Sequence, residues 1–236
     1  MNKKSALLLA LAAGLSAQAA PVFNAFELGV QSGRTAQYDA VGENNIRTSI
    51  QTEKGTLAMY SVKQKADPDM AYMFEIYADE AAYQTHAQSP QYRAFLAASP
   101  KILTDHKQRI ALPPVFLGDK KIRPSETSRI NLERVEVKPQ HSRAFARAVT
   151  AEMVQSLKAE KGVLAMYAAT EQDNPNKWLF FEIYADDAAY ETHRQTPHFQ
   201  HYLKQTAAMI ADRQTIDITP AYLGNQGGLL FHAPEP

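Results

Sequence analysis

Apolar and polar residues alternate at the start of two stretches of the chain: Phe26, Leu28 and Val30 in one, Val135 and Val137 in the other. This period of two predicts a half-buried strand. After the second comes a helical period, with Phe145, Val149, Met153 and Leu157 on one face. Tyr38, Ile46 and Ile50 hold matching places after the first, with Gly55 and Gly162 as helix-ending residues. Two β-type runs then follow in each half, 56–63 and 71–77, and 163–170 and 178–184, separated by polar turns carrying Pro68 or Pro175. Asp79 and Asp186 are placed to cap short helices containing His86 and His193. Ser89-Pro90 and Thr196-Pro197 read as cap and first-turn proline of further helices, and a last strand is expected near 109–111 and 215–218.

The two stretches are copies of one another. Glu53-Lys54-Gly55-Thr56-Leu57-Ala58-Met59-Tyr60 returns as Glu160-Lys161-Gly162-Val163-Leu164-Ala165-Met166-Tyr167, and Phe74-Glu75-Ile76-Tyr77-Ala78-Asp79 returns unchanged at 181–186. Such a period is too long for a solenoid and predicts two domains of about 100 residues each. The order β-α-β-β-α-β is the ferredoxin-like plan, an α+β fold with helices on one face of an antiparallel sheet. Two such open faces pack together into a dimeric α/β barrel within one chain. The expected organisation is a first domain at 20–118, a linker at 119–128, a second domain at 129–225 and a loose tail at 226–236.

Composition narrows the setting. Asn2-Lys3-Lys4, an apolar run from Ser5 to Ser16, and Ala17-Gln18-Ala19 read as a signal peptide cut after Ala19, so a periplasmic or secreted location is expected. The chain has no cysteine, and 25 Lys and Arg balance 25 Asp and Glu. Stability must therefore come from hydrophobic cores, and nucleic acid is not an expected partner. No later segment is apolar for long enough to span a membrane. Neither a Gly-rich phosphate loop nor a nucleophile elbow is present.

The string Phe181-Glu182-Ile183-Tyr184-Ala185-Asp186-Asp187-Ala188-Ala189-Tyr190-Glu191-Thr192-His193, followed by Thr196-Pro197-His198-Phe199, resembles the antibiotic biosynthesis monooxygenase family. Glu-Lys-Gly before the second strand fits it too, and the likeness covers nearly all of the chain after the signal peptide. It implies a cofactor-independent oxygenase of quinols or other reduced aromatics, with O2 as co-substrate. Haem-degrading relatives carry Trp where His86 and His193 stand, and another relative is an isomerase of a phosphorylated signalling molecule.

His86 and His193 are the leading candidate bases, since a neutral imidazole accepts a proton near neutral pH. Bracing a helix against the sheet is the competing role for both. Glu75 and Glu182 fall on the strand face opposite Phe74 and Ile76. If the phenylalanine face takes the helices, these glutamates line the barrel interior and join the catalytic set. Tyr60, Tyr167, His198, Asn131 and Asn24 are candidate substrate-binding residues, each with an ordinary structural alternative. No metal or other cofactor is expected; His198 and His201 at i, i+3 are the sole metal-like spacing. His198 and Phe199 match the family where Gln91 and Tyr92 stand in the first copy, so if only one site works the second copy is the expected one. The rival reading is a non-catalytic protein holding haem or another flat apolar ligand in the barrel. Further homo-oligomerisation is left open.

Overall fold

A computed structural model describes residues 20–123 and 127–234. The expected signal peptide lies outside these residues. In the first half, strand β1 (Val22–Val30) leads into helix α1 (Thr35–Thr52), then β2 (Thr56–Gln64) and β3 (Met70–Tyr77). Helices α2 (Glu80–Ala87) and α3 (Pro90–Ile102) follow, then β4 (Leu103–Ala111) and β5 (Pro114–Asp119). The second half repeats this as β6 (Arg129–Val137), α4 (Ser142–Ala159), β7 (Val163–Glu171) and β8 (Asn174–Tyr184). It continues through α5 (Asp187–Gln195), α6 (Pro197–Thr206), β9 (Ile210–Ile216), β10 (Ile218–Asn225) and β11 (Leu230–His232).

The anticipated helix starts are present. Asp79 and Asp186 accept hydrogen bonds from the backbone N–H of Ala82 and Ala189, and Ser89 and Thr196 cap the proline-led helices that follow. Gly55 and Gly162 have a different job from the expected one. Neither has a positive φ; instead, a Cβ at Gly55 would sit 2.4 Å from Ala82 Cβ, and one at Gly162 2.5 Å from Ala189 Cβ. Both glycines let the histidine-bearing helix approach the turn before β2 or β7.

The sheets are more entwined than the repeat alone implies. One sheet runs β10-β2-β3-β1-β4 and the other β11-β5-β7-β8-β6-β9. The halves therefore exchange strands: β5 of the first pairs with β7, β10 of the second pairs with β2, and β11 covers the outer side of β5. Pro113 and Pro114 lack the N–H that would continue β4 in its own sheet, and the chain crosses there. The expected linker thus begins inside the shared architecture, because β5 ends at Asp119. The tail is not loose throughout either: Leu230–His232 pair with Phe116–Gly118 of β5.

The two sheets face one another across the principal core. Phe23, Tyr60, Phe74 and Ile76 from the first half interdigitate there with Tyr167, Phe181 and Ile183 from the second. Phe74 and Phe181 have ring centroids 4.2 Å apart, and burying side chains of this size stabilises the fold by about 2–3 kcal/mol each. Separate cores pack α1 and α3 on one sheet and α4 and α6 on the other. No helix among the described residues is long and apolar enough to cross a membrane.

Candidate functional site

The phenylalanine face of β3 and β8 turns into the barrel, so Glu75 and Glu182 turn toward the helices. This reverses the orientation expected for the glutamates, because the bulky aromatic residues fill the inter-sheet core and leave the carboxylates to the helix side. Tyr60 and Tyr167 also differ from expectation. Their hydroxyls meet at 2.7 Å inside the barrel, and Tyr167 donates onward to Asp119 Oδ2 at 2.7 Å. They are therefore part of the core rather than walls of the histidine sites.

Each half has its own polar cluster between sheet and helices. Strand pairing sets Asn24 opposite Glu75 and Asn131 opposite Glu182. Tyr77 donates to Glu75 Oε2 at 2.8 Å, and Tyr184 donates to Glu182 Oε2 at 2.9 Å. Burial pushes the Glu75 carboxyl up, against the opposing pull of His86 and the Tyr77 hydroxyl. Burial, reinforced by the charge of Glu133, pushes Glu182 up to about 7.

The histidines are braced by glutamates at the ends of α1 and α4. His86 Nδ1 lies 3.1 Å from Glu53 Oε2 and 3.2 Å from Ser49 Oγ; His193 Nδ1 lies 3.1 Å from Glu160 Oε1. Both histidines are 1% exposed, and neither Nε2 has a hydrogen-bond partner among the described residues. His198 Nε2 lies 2.8 Å from Glu160 Oε1 and 3.0 Å from Ser156 Oγ. Burial lowers the His193 pKa, against the pull of Glu160. At Glu53, burial is outweighed by hydrogen bonds from His86 and Thr56, so its pKa is lowered.

The halves diverge in the space they leave. The first holds a cavity of about 290 Å³ whose walls include Phe26, Asn45, Met73, Glu75, Tyr92, Phe95 and Lys107. The corresponding cavity of the second half is about 40 Å³, walled by Glu133, Glu152, Phe180, Glu182, Phe199, Tyr202 and Arg213 among others. Phe180 replaces Met73, and Glu133 replaces Phe26 and pairs with Arg213 Nε at 3.6 Å. Larger side chains and this ion pair fill the second site. The roomier cavity thus lies in the first half, not in the copy that carries His198 and Phe199.

The family model described as antibiotic biosynthesis monooxygenase matches residues 21–98 and again 129–205. This chain belongs to that family. A crystal structure of a provisionally assigned monooxygenase from Lactobacillus acidophilus is 30% identical, with a TM-score of 0.85, covering 89% of this chain and 99% of that one. A second provisionally assigned monooxygenase, from Fusobacterium nucleatum, is 26% identical at TM-score 0.85, covering 92% and 99%. Both are matched over nearly their full length, so these two relatives share the tandem arrangement. An anthrone oxidase-like protein, 11% identical at TM-score 0.55 over 91% of this chain and 96% of that one, shares the fold. An uncharacterized protein of Synechocystis is 26% identical over 84 residues, 36% of this chain and 56% of that protein's length.

The structure draws in residues that were not singled out from sequence. Glu53 and Glu160 stand within the recurring Glu-Lys-Gly string, which was read as a repeat and as family likeness but not as a source of site residues. Glu152 interrupts the apolar stripe of α4 between Val149 and Met153, and a carboxylate there was the available signal. One donor atom each of Glu152, His193 and His198 lies within 4.8 Å of the others, whereas exposed His201 does not join them.

Proposed function

We propose that this family member is an exported monooxygenase of a reduced, quinol-like aromatic molecule, and that the first-half cavity binds the substrate. The observation carrying this reading is the 290 Å³ cavity with the buried Glu75 in its wall. Apolar walls with a few convergent polar groups suit a flat aromatic with one ionisable end. Asn45 Oδ1, buried in the cavity wall and without a partner among the described residues, is available to a substrate hydroxyl. Lys107 adds a cation in the cavity wall.

Glu75 takes a proton from the acidic C–H or phenol of the substrate, and its raised pKa makes it a stronger base than an ordinary carboxylate. The resulting anion gives one electron to O2, and recombination of the radical pair forms a carbon–oxygen bond. Loss of water then leaves a carbonyl, so a CH2 plus O2 becomes C=O plus H2O without a bound redox cofactor. His86 does not line the cavity; its ring lies 5.0 Å from that of Tyr92, which does. It is a positioning residue in this account, with Glu75 as the base.

The alternative of a non-catalytic carrier for haem or a similar flat ligand draws on the same cavity, because the barrel interior is filled by Tyr60, Tyr167, Phe74 and Phe181. Oxygen uptake with naphthoquinols and anthrones in metal-free buffer tests the proposal. Uptake above background, with one oxygen atom from labelled O2 in the product, supports it. Tight binding of panel members without uptake favours the carrier. The leader at residues 1–19 supports export, and recovery of a shortened chain from a periplasmic fraction tests that part.

A further inference from the structure

We propose that the second half binds a divalent transition-metal ion between Glu152, His193 and His198. Glu152 and His193 are 6% and 1% exposed. Glu160 accepts the Nδ1 hydrogen of His193, which leaves a lone pair on Nε2, the arrangement in which a carboxylate orients a metal-binding imidazole. That Nε2 is buried with no hydrogen-bond partner among the described residues. It faces Glu152 Oε1 at 3.8 Å, too far for a hydrogen bond.

A cation shared between the Nε2 lone pair and the Glu152 carboxylate satisfies both groups. The third donor, His198, has its Nε2 2.8 Å from Glu160 Oε1, and the hydrogen of that contact passes to Nδ1 when Nε2 takes a metal ion. Ser156 Oγ donates to Glu152 Oε1 at 2.6 Å and lies 3.0 Å from His198 Nε2. Two imidazoles and one carboxylate suit zinc, cobalt, nickel or iron better than calcium or magnesium.

The first half is an internal control. It keeps the histidine as His86 but has Asn45 and Gln91 where Glu152 and His198 stand. Both changes replace a metal-binding group with an amide, and Gln91 Nε2 donates instead to Ser49 Oγ at 3.0 Å and to Glu53. The three ligands come from α4, α5 and α6, so an ion there ties together the helices of the second half. The inference is independent of the oxygenase reading, which rests on the other half.

The test uses the full mature chain without added histidines, stripped by chelator and titrated with Zn2+ and Co2+. One equivalent of either ion is expected per chain, with visible cobalt bands of an imidazole-ligated site and a raised unfolding temperature. The Glu152→Asn/His198→Gln double variant carries the amides that the first half already accommodates, and its affinity should fall on the order of 100-fold or more. His198→Gln alone provides a milder variant should the double one unfold. Absence of Zn2+ and Co2+ uptake by the wild type, or undiminished uptake by a folded variant, overturns the proposal.

Discussion

The hydroxyl of Tyr60 donates to that of Tyr167 across the barrel at 2.7 Å, joining the same position of the two halves. The direction follows from Tyr167, whose own hydrogen goes to Asp119 Oδ2. Tyr60→Phe removes one donor and should cost about 1 kcal/mol. Tyr167→Phe leaves both Tyr60 and a carboxylate oxygen short of a partner and should cost about 2–3 kcal/mol. Urea unfolding of the two variants checks the order; equal losses would contradict it.

Close packing at the paired glycines makes a second prediction. Gly55→Ala forces a Cβ against Ala82 Cβ, which lies 2.4 Å from the ideal position. The expected loss is about 1–3 kcal/mol. Adding Ala82→Gly should recover part of it, since the clash is between those two carbons. A neutral Gly55→Ala in thermal unfolding would show that the helix is free to shift.

Stability should also respond to pH through Glu182, which faces Asn131, Glu133, Tyr184 and Arg213. Its folded pKa is raised from the ordinary 4.5 to about 7. The folded chain therefore holds more protons between those values, and stability from this group is greatest below about pH 4.5 and lost as pH rises through about 7. Glu182→Gln should remove that decline and be more stable than wild type at pH 8, by on the order of 3 kcal/mol. Parallel wild-type and variant stability curves from pH 4 to 8 would refute the assignment.

Much of the fold was legible because one pattern is written twice. The helix caps at Asp79, Asp186, Ser89 and Thr196 are local chemistry, and the structure has them where the residues indicated. The exchange of β5 and β10 was hidden because a strand's hydrophobic pattern does not name its partner. Glu75 and Glu182 were visible as a face, but strand alternation assigns two faces without saying which meets the helices. His86 and His193 were found from their recurrence; their partners Glu53 and Glu160 were not, since those contacts span 33 residues. The unequal cavities depend on how Met73 and Phe180, or Phe26 and Glu133, fill three-dimensional space.

The roles of His86 and Glu75 separate in a pH profile. Glu75 must be ionised to act, so kcat/KM should rise with pH through a pKa above the usual glutamate value. His86→Gln should lower activity by misplacing Tyr92 while leaving that ascending limb in place. Loss of the limb in the His86 variant would return the role of base to the histidine.

The central claim is that substrate is oxidised in the first half and not the second. Oxygen uptake with the most active quinol or anthrone should be compared for wild type, Glu75→Gln and Glu182→Gln, all verified as folded. Glu75→Gln should lose on the order of 100-fold or more in kcat/KM, the general-base contribution, with Glu182→Gln close to wild type. Full activity in Glu75→Gln, or loss confined to Glu182→Gln, would contradict the account.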